Sequence, residues 1–256
     1  MRKTYLVSIF LLTSLLAFAQ INESDTVGFQ LQLRSGGSYQ TGNVELLRVT
    51  NQLDVSTRIS SDLVFKTQNN YFYQRFFGNK ADEDLASSNY LYLQPENILY
   101  PYAISFISTN FRRDLDLRTF TGLGLTYQLL QKTAQTVKLS ANVLYEQSTY
   151  RSQVFNYQEF DGSEHIKAFW STLYLRGFHP LKEAALKLTY ELYWQQSLAD
   201  RVNYRYHLLA GLDLSVRKGF SIQSRIIYAY ENLVTTRVKQ KDLLWTWGLA
   251  YQFKSK

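Results

Sequence analysis

The stretch Leu243–Phe253, "LLWTWGLAYQF", alternates between two kinds of side chain. Every second residue from Leu243 to Phe253 is large and apolar, whereas the residues between them are mostly small or polar. A period of two is the pattern of a β-strand whose two faces meet different surroundings. The large apolar face is unfavourable in water, although the mean hydropathy of the whole chain is slightly negative. The stretch therefore predicts a strand with one face in an apolar environment.

The same alternation recurs along nearly the whole chain. In Val137–Tyr145, for example, Val, Leu, Ala, Val and Tyr alternate with mostly polar residues. Turn signals divide residues 28–253 into about twelve such segments. The connections between them are alternately short and mostly longer, as in an outer-membrane barrel with tight periplasmic turns and longer external loops. We expect residues 76–85 to form one of the longer loops, and residues 69–86 or 150–163 are long enough to fold into the interior.

Two all-β folds share this alternation. A secreted soluble sandwich has a dry core and a polar outer face, whereas a membrane barrel has a lipid-facing apolar surface and a wet lumen. Here the polar face has charges of both signs on strand after strand, and the apolar face is rich in Tyr and Trp. We therefore predict an all-β, antiparallel transmembrane β-barrel of about twelve strands, with the soluble sandwich as the alternative.

The N-terminal residues have the pattern of a secretory address. Arg2 and Lys3 precede the mostly apolar stretch Leu6–Leu16, and Ala17-Phe18-Ala19 fits a small-x-small cleavage site. We expect cleavage, because the apolar stretch is too short to span a membrane comfortably. The predicted parts are a signal peptide (1–19), a short N-terminal periplasmic segment (20–27), the barrel (28–253) and a C-terminal tail (254–256). The predicted localisation is the bacterial outer membrane.

Composition excludes several classes of function. The 256 residues include no Cys, so neither disulfides nor thiolate chemistry is available. The formal net charge is +7, but the basic residues are dispersed, with no run of Lys or Arg longer than two. A nucleic-acid partner is therefore not expected. We predict no metal site and no cofactor, since His165 and His179 fall at opposite ends of the barrel.

The positions that we predict for the lumen or its mouth are polar, and most are charged. They are Arg34, Arg48, Arg112, Arg113, Asp114, Asp116, Arg118, Glu191, Arg205, His207, Asp213 and Arg225. The densest charge cluster lies at residues 112–118, in a predicted external loop and strand mouth. It fits a salt-bridged, solvated turn, or a mouth that binds or filters anionic solutes, because Arg presents a fixed and always charged fork.

Other positions are predicted to shape the barrel and its surface. Thr41-Gly42-Asn43 fits a hairpin turn, because Gly and Asn tolerate positive φ; a ligand-contacting loop is the alternative. The aromatic residues expected at the membrane interfaces are Trp194, Trp245, Trp247, Tyr251 and Phe253. Outer-membrane lipid is the expected partner of the apolar face. We expect the last strand to pair with the first, and to be the part that the barrel-assembly machinery recognises, although a short tail follows Phe253.

Three stretches resemble a known family. "GGSYQTGN" (Gly36–Asn43) ends the first strand in a Thr-Gly-Asn turn, and "FRRDLDLRTFTGLGLTYQLL" (Phe111–Leu130) joins an Arg-Asp loop to a Gly-x-Gly strand. "LAYQF" ends the last strand. Together they resemble the salt-induced outer-membrane proteins, a family built on a domain of unknown function, over residues 28–253. The resemblance implies an outer-membrane β-barrel and supplies no catalytic residues.

Two functional hypotheses follow from the sequence. The first is a structural or small-solute channel protein with a charged lumen, which in a barrel of about twelve strands is narrower than that of the larger porins. The second is an outer-membrane enzyme that acts on lipid or an envelope polymer, which requires a His and a Ser side by side on the lipid-facing surface. We favour the first and expect no enzymatic activity, because His207 is predicted to face the lumen and no Gly-x-Ser-x-Gly motif occurs.

Overall fold

Twelve antiparallel strands close into one barrel in the computed structural model, which describes residues 21–132, 135–181, 185–217 and 219–255. The strands are β1 (Phe29–Gln40), β2 (Leu46–Arg58), β3 (Leu63–Phe76), β4 (Asn79–Leu93), β5 (Leu99–Asn110), β6 (Leu115–Lys132), β7 (Gln135–Tyr150), β8 (His165–Leu181), β9 (Leu186–Ser197), β10 (Tyr204–Arg217), β11 (Phe220–Glu231) and β12 (Lys241–Ser255). The predicted signal peptide, residues 1–19, lies outside the described residues. No helix in the described part of the chain is long and apolar enough to cross a membrane.

Each strand pairs with its neighbours in sequence, and β12 returns to pair with β1. In that closing pair, Phe29 lies opposite Ser255 and Ser35 lies opposite Leu249. Closure removes the free edges that an open sheet would leave. The predicted all-β, twelve-stranded antiparallel barrel is confirmed.

The two ends of the barrel differ in the length of their connections. One end has the connections 59–62, 94–98, 133–134, 182–185 and 218–219, together with the start of β1 and the end of β12. We call it the turn end. The other end has the connections 41–45, 77–78, 111–114, 151–164, 198–203 and 232–240. We call it the loop end. Its longest connection includes a short 3-10 helix, Gln158–Phe160.

The prediction of a long loop at residues 76–85 is wrong. β3 and β4 meet in a two-residue turn, Phe77–Gly78, in which φ is +44° and +76°. Positive φ at both central residues is the geometry of a tight hairpin turn. The following stretch, Asn79–Asp84, is polar and lacks apolar alternation, so its sequence reads as a loop although it belongs to β4. Residues 69–86 therefore form a hairpin in the barrel wall and do not fold inward.

The last strand ends two residues later than predicted. β12 continues through Ser255, so that Lys254 and Ser255, which we expected in a tail, lie opposite Gln30 and Phe29. The two residues extend the ladder that closes the barrel at the turn end.

The two faces of the wall have opposite character. On the outward face, Leu123, Leu243 and Trp247 are 72%, 72% and 73% exposed. On the inward face, Lys66 and Asp54 are 0% and 1% exposed. Exposed apolar groups in this number form the surface of a transmembrane barrel, because lipid replaces the water that they would otherwise meet. The apolar residues of "LLWTWGLAYQF" belong to this outward face.

Glycines in β6 let neighbouring side chains fill the lumen. A Cβ atom on Gly122 would lie 2.1 Å from the carbonyl oxygen of Val143, and one on Gly124 would lie 2.7 Å from Cε1 of Tyr102. Because Gly124 has no Cβ, the ring of Tyr102 can occupy this position, where it packs with the buried rings of Tyr92 and Tyr100. This part of the inner wall therefore has a cluster of aromatic side chains.

We predict that Leu123→Arg destabilises the barrel in a bilayer. Leu123 lies near the middle of β6, so an Arg there meets hydrocarbon and costs about 2–4 kcal/mol of unfolding free energy. Urea unfolding in phosphatidylcholine vesicles measures this cost. Leu198→Arg is the control, because Leu198 is equally apolar and 59% exposed but lies in a loop-end connection. Equal stability of the two variants would contradict the assignment of the outward face to lipid.

Candidate functional site

Residues 21–27 precede β1 and enter the turn end of the barrel with their first residues, and we call them the inserted segment. Ile21, Glu23 and Ser24 are 1%, 4% and 5% exposed. The sequence predicted a periplasmic segment at residues 20–27, and the described part of it instead enters the lumen. The physical reason is a match of charge, because the lumen wall offers cations to the acidic side chain of Glu23.

The carboxylate of Glu23 meets three cations. Its Oε1 atom is 2.8 Å from Nζ of Lys138, and its Oε2 atom is 3.3 Å from Nζ of Lys66 and 3.7 Å from Nη1 of Arg176. The hydroxyl of Tyr100 donates a hydrogen bond of 3.0 Å to Oε1. These partners come from β7, β3, β8 and β5. One carboxylate thus joins four strands around the lumen.

Further hydrogen bonds hold the backbone of the inserted segment. Arg176 donates to the carbonyl oxygen of Ile21 at 3.0 Å, and Gln30 donates to that of Asn22 at 3.0 Å. Arg58 donates to the carbonyl oxygen of Asp25 at 3.1 Å. The hydroxyl of Ser24 bonds the carbonyl oxygen of Pro95. The barrel wall therefore satisfies backbone groups that burial would otherwise leave without partners.

The ionisation of Glu23 reflects these contacts. Burial by itself raises the pKa of Glu23, since it disfavours the charged carboxylate. The attraction of Lys138, Lys66 and Arg176 outweighs burial, so the pKa of Glu23 lies well below its usual value of 4.5. Glu23 is therefore charged near neutral pH.

A second ionic network lies inside the loop end. Arg118 donates two hydrogen bonds to Glu231, at 3.0 and 3.1 Å, and its Nε atom is 3.2 Å from Glu146. Arg205 bonds both carboxylate oxygens of Glu146 and lies over the ring of Trp170, 4.4 Å from its centroid. The cavity beside this network has a volume of about 10 Å³, which is room for about one water molecule. The network therefore leaves little free space between its own side chains.

The predicted charge cluster at residues 112–118 does not form one patch. Arg112 pairs with Asp82, Arg113 with Asp242 at 2.7 Å, Asp116 with Arg151 at 2.8 Å, and Asp114 accepts a hydrogen bond from Thr235 at 3.1 Å. Only Arg113 and Arg118 share a partner, since Arg113 also approaches Glu231 to 3.5 Å. The cluster ties the 111–114 connection to other parts of the loop end, which agrees with a salt-bridged turn.

Two loop-end connections cover one side of the mouth. Phe155, in the connection 151–164, forms a β-bridge with Thr235 in the connection 232–240. Phe155 also packs with Leu115, Tyr150 and Leu233 in a buried cluster. The connection that we considered able to fold inward therefore packs over one side of the mouth.

The remaining predicted lumen residues lie along the inner wall, where each has a neighbour of its own. Arg34 is 2.7 Å from Asp54, Arg225 is 3.9 Å from Asp213, Glu191 is 3.7 Å from Arg176, Arg48 bonds Gln74 at 3.0 Å, and His207 stacks on Tyr193 with 5.1 Å between ring centroids. Among the described residues, no group of three His, Asp or Glu is placed to hold a metal ion.

The residues predicted for the turn and the membrane interfaces lie at the surface. Thr41-Gly42-Asn43 joins β1 to β2, and Gly42 has φ +112°. Asn43 does not share this conformation, so the positive φ that we expected at both positions occurs at one. Trp194, Trp245, Trp247, Tyr251 and Phe253 are exposed on the outward face. Tyr251 and Phe253 lie toward the turn end, opposite Leu33 and Leu31.

Sequence reasoning missed three members of the turn-end site. Glu23 was set aside with the segment before the first strand, which has no alternation to interpret. Arg176 lies in Ile166–Phe178, where the alternation is less clean. Lys66 alternates with the outward residues Leu63 and Phe65 in β3, so its inward direction could have been found from parity. Its partner could not, because the partner lies 43 residues away in the chain.

The chain belongs to the family described as "Protein of unknown function, DUF481", whose sequence model matches residues 31–253. The match runs from the first strand to the last and confirms the family resemblance of the sequence motifs. No curated protein matches the sequence.

Among solved structures, the NanC porin is similar over 87% of this chain and 98% of that chain, with a TM-score of 0.53 and 9% identity. The COG4313 outer membrane channel from Pseudomonas putida F1 covers 91% and 97%, with a TM-score of 0.47 and 14% identity. The translocator domain of the autotransporter NalP from Neisseria meningitidis covers 90% and 90%, with a TM-score of 0.45 and 13% identity. At this level of identity, the similarity to the NanC porin shows a shared fold.

We predict that the stability contributed by Glu23 is lost in acid. Because its pKa is lower in the folded barrel than the unfolded value of 4.5, the contribution is complete above pH 4.5 and falls as the pH drops through the folded pKa. At neutral pH, Glu23→Gln lowers the free energy of unfolding by about 3–5 kcal/mol, since it leaves buried cations without their carboxylate.

Urea unfolding in detergent at several pH values measures the difference between wild type and Glu23→Gln. The difference is expected to shrink below pH 4.5. A difference that stays constant from pH 7 to pH 3 would show that the charge of Glu23 does not hold the inserted segment.

Proposed function

We propose that this protein is a small-solute channel of the bacterial outer membrane, with a charged lumen that the inserted segment closes at the turn end. The observation that carries the proposal is the Glu23 carboxylate, which lies in the lumen against Lys66, Lys138 and Arg176. In this arrangement, the turn end faces the periplasm and the apolar face contacts outer-membrane lipid. β12 is the strand that the barrel-assembly machinery would recognise.

The connection of the inserted segment to the wall supports a gate. The segment belongs to no strand of the barrel and precedes β1 at Phe29. It can therefore leave the lumen without breaking the strand pairing that closes the barrel.

The wall that the inserted segment covers suggests which solutes pass. When the inserted segment leaves, the side chains of Lys66, Lys138 and Arg176 lose the Glu23 carboxylate that they contact. Rings of basic side chains favour anions in pores. We therefore propose that the open channel prefers small anionic solutes.

We predict that Glu23→Gln raises the conductance of the barrel in planar bilayers. The variant weakens three ionic contacts, and the loss of a single charged hydrogen bond already corresponds to a change of about tenfold or more in the ratio of open to closed channels. Single-channel recording at neutral pH measures this ratio, and reversal potentials in a salt gradient measure the preference for anions.

Glu96→Gln is the matched control, because Glu96 also pairs with an Arg at the turn end but is 49% exposed. Heat-modifiable gel migration confirms that each protein is folded. The channel proposal is wrong if folded Glu23→Gln, and a variant without residues 21–27, show no more conductance than wild type.

We propose that the protein has no hydrolase activity. The alternative, an outer-membrane hydrolase, has one candidate group of residues on the outward face. The Oγ1 atom of Thr149 is 3.1 Å from Nδ1 of His165, whose Nε2 atom is 4.0 Å from Glu164. A nucleophile, a base and an orienting acid are the parts of a hydrolytic triad. Here the imidazole and the carboxylate are both more than half exposed, and a Glu at 4.0 Å makes no hydrogen bond.

We predict that the purified barrel releases no fatty acid from phospholipid vesicles at a rate that depends on this contact. The measurement compares wild type with Thr149→Val and His165→Gln. Hydrolysis by wild type that both substitutions abolish would establish the enzyme and overturn this proposal.

A further inference from the structure

The closing seam of the barrel is paired over only part of its length. β1 pairs with β12 from Phe29 to Ser35, whereas Gly36–Gln40 pair with β2 alone and Lys241–Gly248 pair with β11 alone. Among the neighbouring strands of the described residues, this is the pair in which both strands continue for at least five residues without pairing with each other. At the break the backbones are still close, since a Cβ on Gly248 would lie 2.8 Å from the carbonyl oxygen of Ser35 and one on Gly36 would lie 2.9 Å from that of Trp247. The ladder between β1 and β12 therefore ends beside Gly36 and does not continue toward the loop end.

The unpaired part of β12 has apolar side chains on its outward face. Trp245 and Trp247 are 59% and 73% exposed, and their rings stack with 5.3 Å between centroids. Backbone groups that lack strand partners are not tolerated against hydrocarbon unless they line a polar cavity. The seam thus needs polar groups beside it, from water or from a ligand.

A cavity of about 120 Å³ lies at this seam, and we call it the seam cavity. It is lined both by inward residues, including Arg34, Arg48 and Arg225, and by the outward residues Trp245 and Trp247. A cavity lined by both faces of the wall connects the lumen with the membrane side of β12. No carboxylate lines it.

The buried donors of the seam cavity lack acceptors. Nε and Nη2 of Arg225, Nε of Arg34 and Nε2 of Gln223 have no hydrogen-bond partner in the protein. These residues are 7%, 6% and 5% exposed, respectively. Asp54 pairs with Nη1 of Arg34 and not with its Nε. The carboxylate of Asp213 is 3.9 Å from Nη2 of Arg225, which is too far for a hydrogen bond. Buried donors of this number require an acceptor, and guanidinium groups match the oxygen atoms of a phosphate.

We propose that the seam cavity binds the phosphate group of an outer-leaflet lipid, whose acyl chains leave the barrel between β1 and β12. The three Arg side chains and Gln223 bind the phosphate oxygens. The chains pass the unpaired edges and lie along Trp245 and Trp247, as expected for an amphiphile with one charged and one apolar end. This site is separate from the turn-end gate, because it lies in the other half of the barrel and contains no residue of the inserted segment.

The test measures binding of phosphatidic acid, a lipid with a phosphate monoester, to the folded barrel in detergent by native mass spectrometry. Wild type is expected to retain one phosphatidic acid in preference to phosphatidylcholine.

Arg225→Gln removes a charged donor and is expected to weaken binding about tenfold or more. Arg48→Gln is the second variant, since Arg48 is less buried and its loss leaves Asp54 and Asp213 with their partners. Arg217→Gln is the control, because Arg217 is exposed at the turn end, and it is expected to bind like wild type.

Competition with inorganic phosphate distinguishes a site for a lipid phosphate from a site for free phosphate. If the seam recognises a lipid, millimolar phosphate displaces phosphatidic acid poorly, because it lacks the acyl chains that contact the seam. Displacement by phosphate at equal concentration would show a solute site and overturn the lipid assignment. Equal binding by wild type, Arg225→Gln and Arg48→Gln would overturn the site itself. Conductance is not measured in this experiment, so its outcome is independent of the channel proposal.

Discussion

The pairing of β1 with β12 is the constraint on which the rest of the structure depends. Backbone groups in a bilayer must find partners within the protein, and a closed barrel is the arrangement of strands that supplies them. Seven residues of β1, from Phe29 to Ser35, complete this closure with β12. The same short ladder leaves Gly36–Gln40 without β12, so one feature both closes the barrel and opens the seam cavity.

Closure also places charged side chains in a confined lumen, where each ion must find a partner. Burial of an unpaired charge is costly. The partners of these charges are carboxylates and guanidinium groups on strands that are distant in sequence. Glu146 serves Arg118 and Arg205, and Glu23 serves Lys66, Lys138 and Arg176. At the seam cavity, by contrast, donor atoms of Arg225, Arg34 and Gln223 have no hydrogen-bond partner in the protein.

Alternation predicted the strands well where one face meets lipid and the other meets the lumen. Val137–Tyr145 is an example, since its pattern has a single interpretation. The β3–β4 hairpin was misread because Asn79–Asp84 is polar on both faces, which removes the period of two. The candidate site was harder to predict. Parity placed Arg34, Arg205 and Arg225 on the inner wall, but ion pairs join residues such as Arg113 and Asp242, 129 positions apart, and no local pattern records such a distance.

The sequence by itself determined that this chain forms a barrel with a lipid-facing surface, since that follows from the local period of two in stretches such as "LLWTWGLAYQF". It also determined the family, because motifs persist in order along residues 31–253. Only the tertiary structure decided what occupies the lumen. The position of Glu23 among three cations, and the break in the β1–β12 ladder beside Arg225, depend on strand register and on contacts between distant residues. Those contacts form only when the barrel closes.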